Sequence, residues 1–304
     1  MEFEKAKTDS FRFFFGLNLF ENSASKRKLK TKKMKTTIKA FGAAVLMLSI
    51  TACEKEMKND DIQSYDDVID TQLEQRDFEI EDEIGGEVCS SYEFVQYFPE
   101  GVEVIDTSED YPKSILIDYG TGVVDQYGRV KSGQIIIEIS ADMKAKGALK
   151  TITTENFKIN DRFVEAERRV ENLGKNTDGN IEFSVTGNRS ISSELILRTK
   201  TYSRVKEWIA GSETCDRSDD EFLILGSSEI KTNNRTISTE IITPIHRAIG
   251  GCIYPISGEV QITRKNGRIS VLDFGSGDCD AEAELTLHNG EVRNVDLHKR
   301  QCRR

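Results

Sequence analysis

Proline and histidine are scarce in this chain, with four and three among 304 residues. The histidines, His246, His288 and His298, form no HExxH pair, and the cysteines show no zinc-site spacing, so no metal centre is expected. A GxSxG elbow, a phosphate-binding loop and a dinucleotide glycine fingerprint are also missing. No catalytic residue and no cofactor is therefore assigned from motifs. Long apolar runs are lacking too: residues 40–50, "AFGAAVLMLSI", are too few to cross a bilayer of about 30 Å as a helix.

That short run has a purpose at its end. Lys35 and Lys39 precede it and Ile50-Thr51-Ala52-Cys53 closes it, the order of a secretory signal. The quartet "ITAC" resembles the lipobox of bacterial lipoproteins. The resemblance implies that Cys53 becomes the mature N-terminus and carries acyl chains. Met34-Lys35 opens a signal of ordinary length, so residues 1–33 read as a start-site artefact and 34–52 as the signal peptide.

Charge divides the remainder. Residues 1–52 carry +7 of the total −10, which leaves −17 after the signal. Residues 54–87 hold fourteen acids and three bases, and residues 88–304 keep −6. The acidic stretch lacks proline, and its hydrophobes are scattered, so it buries too little surface to offset ordering entropy. With Cys53 it forms a tether, residues 53–87, that either resembles a surface-export signal of Bacteroidota lipoproteins or serves as a solvated spacer. Such a polyanion excludes nucleic acid as the main partner.

From residue 114 to 297 the hydrophobic period is close to two. β-branched runs at 114–118, 133–140, 149–159, 180–187, 193–202, 221–230, 234–242, 258–264, 268–275, 283–290 and 291–297 alternate with turn residues. Asn266-Gly267 and Asn289-Gly290 are hairpin signals. Short helices are expected only at 142–147 and 244–249. The body, residues 88–304, is expected to be all-β and antiparallel, with about a dozen strands in a sandwich or open barrel.

An internal match supports two related halves. At an offset of 155, Asp118 aligns with Asp273, Tyr119 with Phe274, Gly120 with Gly275, Gly122 with Gly277 and Asp125 with Asp280. Each aspartate is expected to accept amide hydrogen bonds in its own turn, with the following aromatic in the core. "DYGTG" (118–122), "DFGSGDCD" (273–280), "RSDDEFLILG" (217–226) and "ITPIHRAIGGCIYPISGEVQI" (242–262) together resemble a family of Bacteroidota outer-membrane lipoproteins. The resemblance covers most of residues 112–297 and brings no activity with it. Val123 or Val124 stands where the second half has Cys279, so the first half lacks any matching disulfide.

Beyond Cys53 stand Cys89, Cys215, Cys252, Cys279 and Cys302, an odd number for an oxidising compartment. Cys252 and Cys279 flank a hairpin and are expected to pair. A thiolate nucleophile at Cys252 beside His246 is disfavoured in that compartment. Calcium at Asp273, Asp278 and Asp280 lacks the EF-hand spacing. Trp208, the only tryptophan, reads as core. The expected protein is a lipid-anchored, non-enzymatic binding or envelope-interaction module of the outer membrane. Its partner would be a glycan, a peptide or an envelope protein. A hydrolase with paired carboxylates and a periplasmic carrier of an apolar ligand are the alternatives. Cys53→Ser is expected to move the protein from the membrane to the soluble fraction; continued sedimentation with membranes would rule the anchor out.

Overall fold

The computed structural model describes residues 98–106, 110–125, 128–194, 197–214 and 216–297. Cys53, the tether, Cys89, Cys215, His298 and Cys302 lie outside them. The described chain is all-β. Fourteen strands form one antiparallel sheet: β1 (Glu103–Asp106), β2 (Lys113–Asp118), β3 (Val123–Val124), β4 (Val130–Ile139), β5 (Leu149–Ile159), β6 (Arg162–Lys175), β7 (Ile181–Ser192), β8 (Leu197–Ala210), β9 (Glu221–Thr232), β10 (Thr236–Ala248), β11 (Ser257–Arg264), β12 (Ile269–Ser276), β13 (Glu282–Thr286) and β14 (Val292–Asp296). Sheet order follows chain order, except that the two-residue β3 pairs β4 beside the path. β1 and β14 end the path, so the sheet is open rather than a closed barrel. Among the described residues, no helix is long and apolar enough to cross a membrane.

Strand parity decides where the core sits. Alternate side chains of a strand share a face, and the registers keep the apolar set on one face from end to end. Ile115 and Ile117 of β2 stand opposite Ile137 and Ile135 of β4, and Ile137 opposite Ile152 of β5. On β7 the same face carries Ile181, Phe183 and Val185, and on β12 and β13 it carries Leu272 and Leu285. Two buried clusters result. One runs from Ile115 to Phe222 and the other from Ile237 to Leu297. We call their common face the inner face. Each fully buried Ile, Leu or Phe on it contributes about 1.5–3 kcal/mol.

Neither expected helix forms. Residues 142–147 make a turn in which Asp142 accepts the Lys144 amide at 2.8 Å, while the Met143 carbonyl accepts a hydrogen bond from buried Asn172 at 2.7 Å. Residues 244–249 fall largely within β10. Pro244 sits inside a register break between Ile241 and Ile245, where a strand tolerates a residue without an N–H. The one helical element among the described residues is a 3-10 turn, Arg217–Asp219. Three strands, β1, β3 and β6, were not expected.

The two Asp-aromatic-Gly bends are alike. Asp118 accepts the Gly120 amide at 2.7 Å and Asp273 the Gly275 amide at 2.8 Å, while Tyr119 and Phe274 are both 2% exposed. Gly120 and Gly275 have φ of +53° and +85°. The likeness stops after the bend. Asp118 pairs across β2–β4 with Gln134, but Asp273 pairs across β12–β13 with Glu284, after a shorter connection. Asp125 also departs from Asp280. It forms an ion pair with Arg129 at 2.6 Å, whereas Asp280 accepts the Glu282 amide at 2.9 Å.

Cys252, after β10, and Cys279, between β12 and β13, form a disulfide with Cα atoms 5.6 Å apart. It links two connections across the β11–β12 hairpin and closes a loop of 27 residues. Replacing both cysteines with alanine is expected to lower the unfolding free energy by about 3 kcal/mol on the chain-entropy model. Denaturant titration of the double variant checks this, and an unchanged midpoint would refute it.

Candidate functional site

Chemistry at the expected positions is structural. Trp208 is 4% exposed, stacks on Phe222 at 5.6 Å, and donates its indole N–H to the buried Asp220 carboxylate at 3.0 Å. His246 Nε2 meets Glu221 Oε2 at 2.8 Å, and Cys252 is consumed in the disulfide, so no His–Cys pair acts at this point. Asp118 and Asp273 do not form one site by sheet neighbourhood: eight strands lie between β2 and β12 in the sheet order, and each carboxylate is engaged in its own turn. Among the described residues, no cluster of His, Cys, Asp and Glu could hold a metal ion.

A different feature emerges once the registers are known. Across β5 to β11, the inner face carries cations as well as apolar groups. Lys150 lies opposite Val170, and Arg168 opposite Gly187. Arg189 and Lys200 face each other, as do Val185 and Arg204, and Phe183 and Lys206. Arg198 stands opposite Thr232, Arg247 opposite Phe222, and Arg264 opposite Ile237. These nine residues share the face of the core, and no Asp or Glu among the described strand residues of β5–β11 joins them there. The acids of the same strands, including Glu165, Glu167, Glu171, Glu182, Glu207, Glu229 and Glu240, occupy the outer face. Across β5–β11 the inner face is therefore cationic and apolar, while the outer face carries the acids together with cations such as Arg169 and Lys231, which pair with Glu171 and Glu229.

Aromatic rings are set between the cations. The guanidinium groups of Arg168 and Arg204 lie 5.9 and 5.4 Å from the centroid of the Tyr202 ring, and the Lys206 ammonium lies 3.5 Å from that of Phe222. Lys144 approaches Trp208 at 5.5 Å. Such contacts hold long cationic side chains down on the sheet, each by about 0.5–1 kcal/mol when exposed. Two glycines make room for them. A Cβ on Gly187 would overlap the Tyr202 hydroxyl, and one on Gly226 would overlap the Ser203 carbonyl beside Arg204. Gly226 also has φ of +134°, which L side chains rarely adopt.

Lys200 and Lys150 are 5% exposed and Arg189 is 9% exposed, so these charges sit in a partly desolvated setting where electrostatic contacts are stronger than in water. Along β8 the inner-face residues Arg198, Lys200, Tyr202, Arg204 and Lys206 recur every second position, about 7 Å apart. An extended chain with alternating side chains has the same repeat. The arrangement can hold an anionic, partly apolar strand or chain.

No family model, curated protein or solved structure matches this chain.

The bend carboxylates supply a pH test. Hydrogen bonds from the Gln134 amide at 2.7 Å and from the Gly120 amide hold Asp118 below the usual carboxylate range. A lowered folded pKa contributes stability that is present above the unfolded value, about 3.9, and is lost as pH falls through the folded value. Asp118→Ala is therefore expected to lower Tm by a few degrees at pH 7, with the deficit vanishing in strong acid. Thermal melts between pH 2 and 7 check it; a deficit independent of pH would refute the charged-turn account.

Proposed function

We propose that this chain is a lipid-anchored binding module of the bacterial outer membrane, held by acyl chains on Cys53, that takes an acidic, partly apolar peptide segment on its inner face. The observation that carries the reading is the segregation of charge: the cations named above lie on the inner face of β5–β11, and no acid among the described strand residues joins them there. An anionic partner gains several charge-assisted contacts at once, and its apolar groups meet the partly buried Ile224 and Ile241 on the same face. Single exposed ion pairs contribute only about 0–1 kcal/mol, so the affinity comes from the array and from its partial desolvation.

The two alternatives fit less well. A carboxylate-pair hydrolase has no support in Asp118 and Asp273, which are both engaged in their turns. A carrier of a purely apolar ligand would have to bury it against Lys200, Arg204 and Lys206. Such a ligand offers those side chains no polar contact.

The experiment is fluorescence anisotropy with a labelled twelve-residue peptide of alternating Glu and Ile or Phe, titrated with the full mature chain in low salt. Binding is expected to weaken more than tenfold in 0.5 M salt, and again in Arg204→Gln/Lys206→Gln, because screening and loss of charge act on the same array. Absence of binding, insensitivity to both changes, or stronger binding of an oligonucleotide of equal charge would overturn the reading.

A further inference from the structure

We infer that the outward edge of β14 docks an extended, lysine- or arginine-rich peptide segment of a partner, which joins the sheet as a further antiparallel strand. β14 ends the sheet path, and among the described residues β13 alone pairs with it. Two hydrogen bonds fix which of its backbone groups face outward. The Leu297 amide donates to the Ala281 carbonyl at 2.7 Å, and the Leu287 amide to the Glu291 carbonyl at 2.8 Å. These bonds continue the register of β13 with β14, so Arg293 and Val295 are the residues bonded to Leu285 and Ala283. Val292 and Asn294 alternate with them and turn their N–H and C=O groups away from β13, to where a further strand would lie. The first half of the sheet shows the same place filled. Counted from the strand with the bend aspartate, β2 is followed by β4 and β5, and β12 by β13 and β14. β5 is covered by the fourteen-residue β6. β14 has no proline, no lysine and no bulge against β13, devices that commonly blunt an edge.

Side chains beside the edge select the partner. Val292, 51% exposed, and the exposed Asn294 stand on the outer face, with the exposed Glu284 of β13 directly opposite Asn294 and the exposed Glu282 two residues before it. Asp273 lies opposite Glu284, and Glu259 opposite Asp273. The outer face thus presents a row of carboxylates that runs up to this edge. In an added antiparallel strand, the residue bonded to Asn294 carries its side chain on that same face. A lysine or arginine there lies two strands, about 10 Å, from Glu284, a gap the two side chains span together. An acidic residue in its place would meet like charge. Apolar residues at the intervening positions extend the inner-face row that ends at the buried Val295. Main-chain hydrogen bonds supply the affinity, and the alternate basic positions supply the choice of partner.

The test is fluorescence anisotropy of a labelled eight-residue peptide of alternating Lys and Val, titrated with the full mature chain at about 0.15 M salt. The added strand bonds β14 through its outer-face residues, the lysines. N-methylation of the Lys amides is therefore expected to weaken binding more than tenfold, and N-methylation of the Val amides less than twofold. Asn294→Pro removes an outward N–H and no bond to β13, so it should weaken binding more than tenfold while Tm stays within a few degrees. Glu282→Gln/Glu284→Gln should weaken it at least threefold. Equal effects of the two methylations would overturn strand addition, since attraction between charges alone does not depend on which amides are free. Unchanged affinity in Asn294→Pro would overturn it too; the methylated peptides need no variant, and decide alone if that protein melts early. Tighter binding of the matched Glu and Val peptide would overturn the basic partner. A dimer of the chain alone, seen by sedimentation and abolished by Asn294→Pro, would give the edge to a second copy and overturn the peptide as its occupant.

Discussion

A β-strand gives every second side chain to one face, and in this protein that parity has to survive fourteen successive pairings. A slip by one residue in any strand would send its apolar set to the opposite side. The registers that keep Ile115, Ile137 and Ile152 together also keep Phe183, Lys206 and Ile224 together. Core and cationic array are therefore consequences of one constraint. Where a bulge intervenes, as at Gly133 opposite Asn156 or at Pro244, the strand resumes with the apolar face still inward.

Placing cations on the core face has an energetic cost that the structure meets in identifiable ways. Arg168 and Arg204 lie near the Tyr202 ring and Lys206 lies over Phe222, where the aliphatic stems pack on apolar surface. Gly187 gives Tyr202 space to lie across the backbone. The outer face follows the ordinary pattern of a solvated sheet surface, with exposed Glu165, Glu167 and Glu240. A chain that is acidic overall thus places a set of cations on its core face, Lys150, Arg189 and Lys200 among them buried.

Much of the fold was legible because β-branched runs bounded by turn residues have few other uses. The all-β class, eleven of the strands and the Asp-aromatic-Gly bends follow from local pattern. β6 was not legible. Its central residues, "VEAERRVEN", are strong helix formers, and only pairing along both edges with β5 and β7 makes them extended. β1 and β3 are too short to show a period. The helix expected at 142–147 loses to the Asn172 bond with the Met143 carbonyl, a long-range contact that no local window contains. The Cys252–Cys279 pairing was legible from its place around a hairpin. The cationic face was not, since Arg168, Arg189, Lys200 and Arg204 become neighbours only once the registers of three strands are known.

Because sheet order follows chain order, each strand finds its partner in the segment just made, apart from the small detour at β3. Closing these contacts requires only short loops, so the topology folds quickly for an all-β protein. The same order governs the response to force. A pull on the N-terminal end loads β1 first and opens the ladder one strand at a time, without shearing several strands together. Under tension applied at that end the sheet would unravel progressively at its near edge while the far strands, closed by the Cys252–Cys279 bridge, stayed paired.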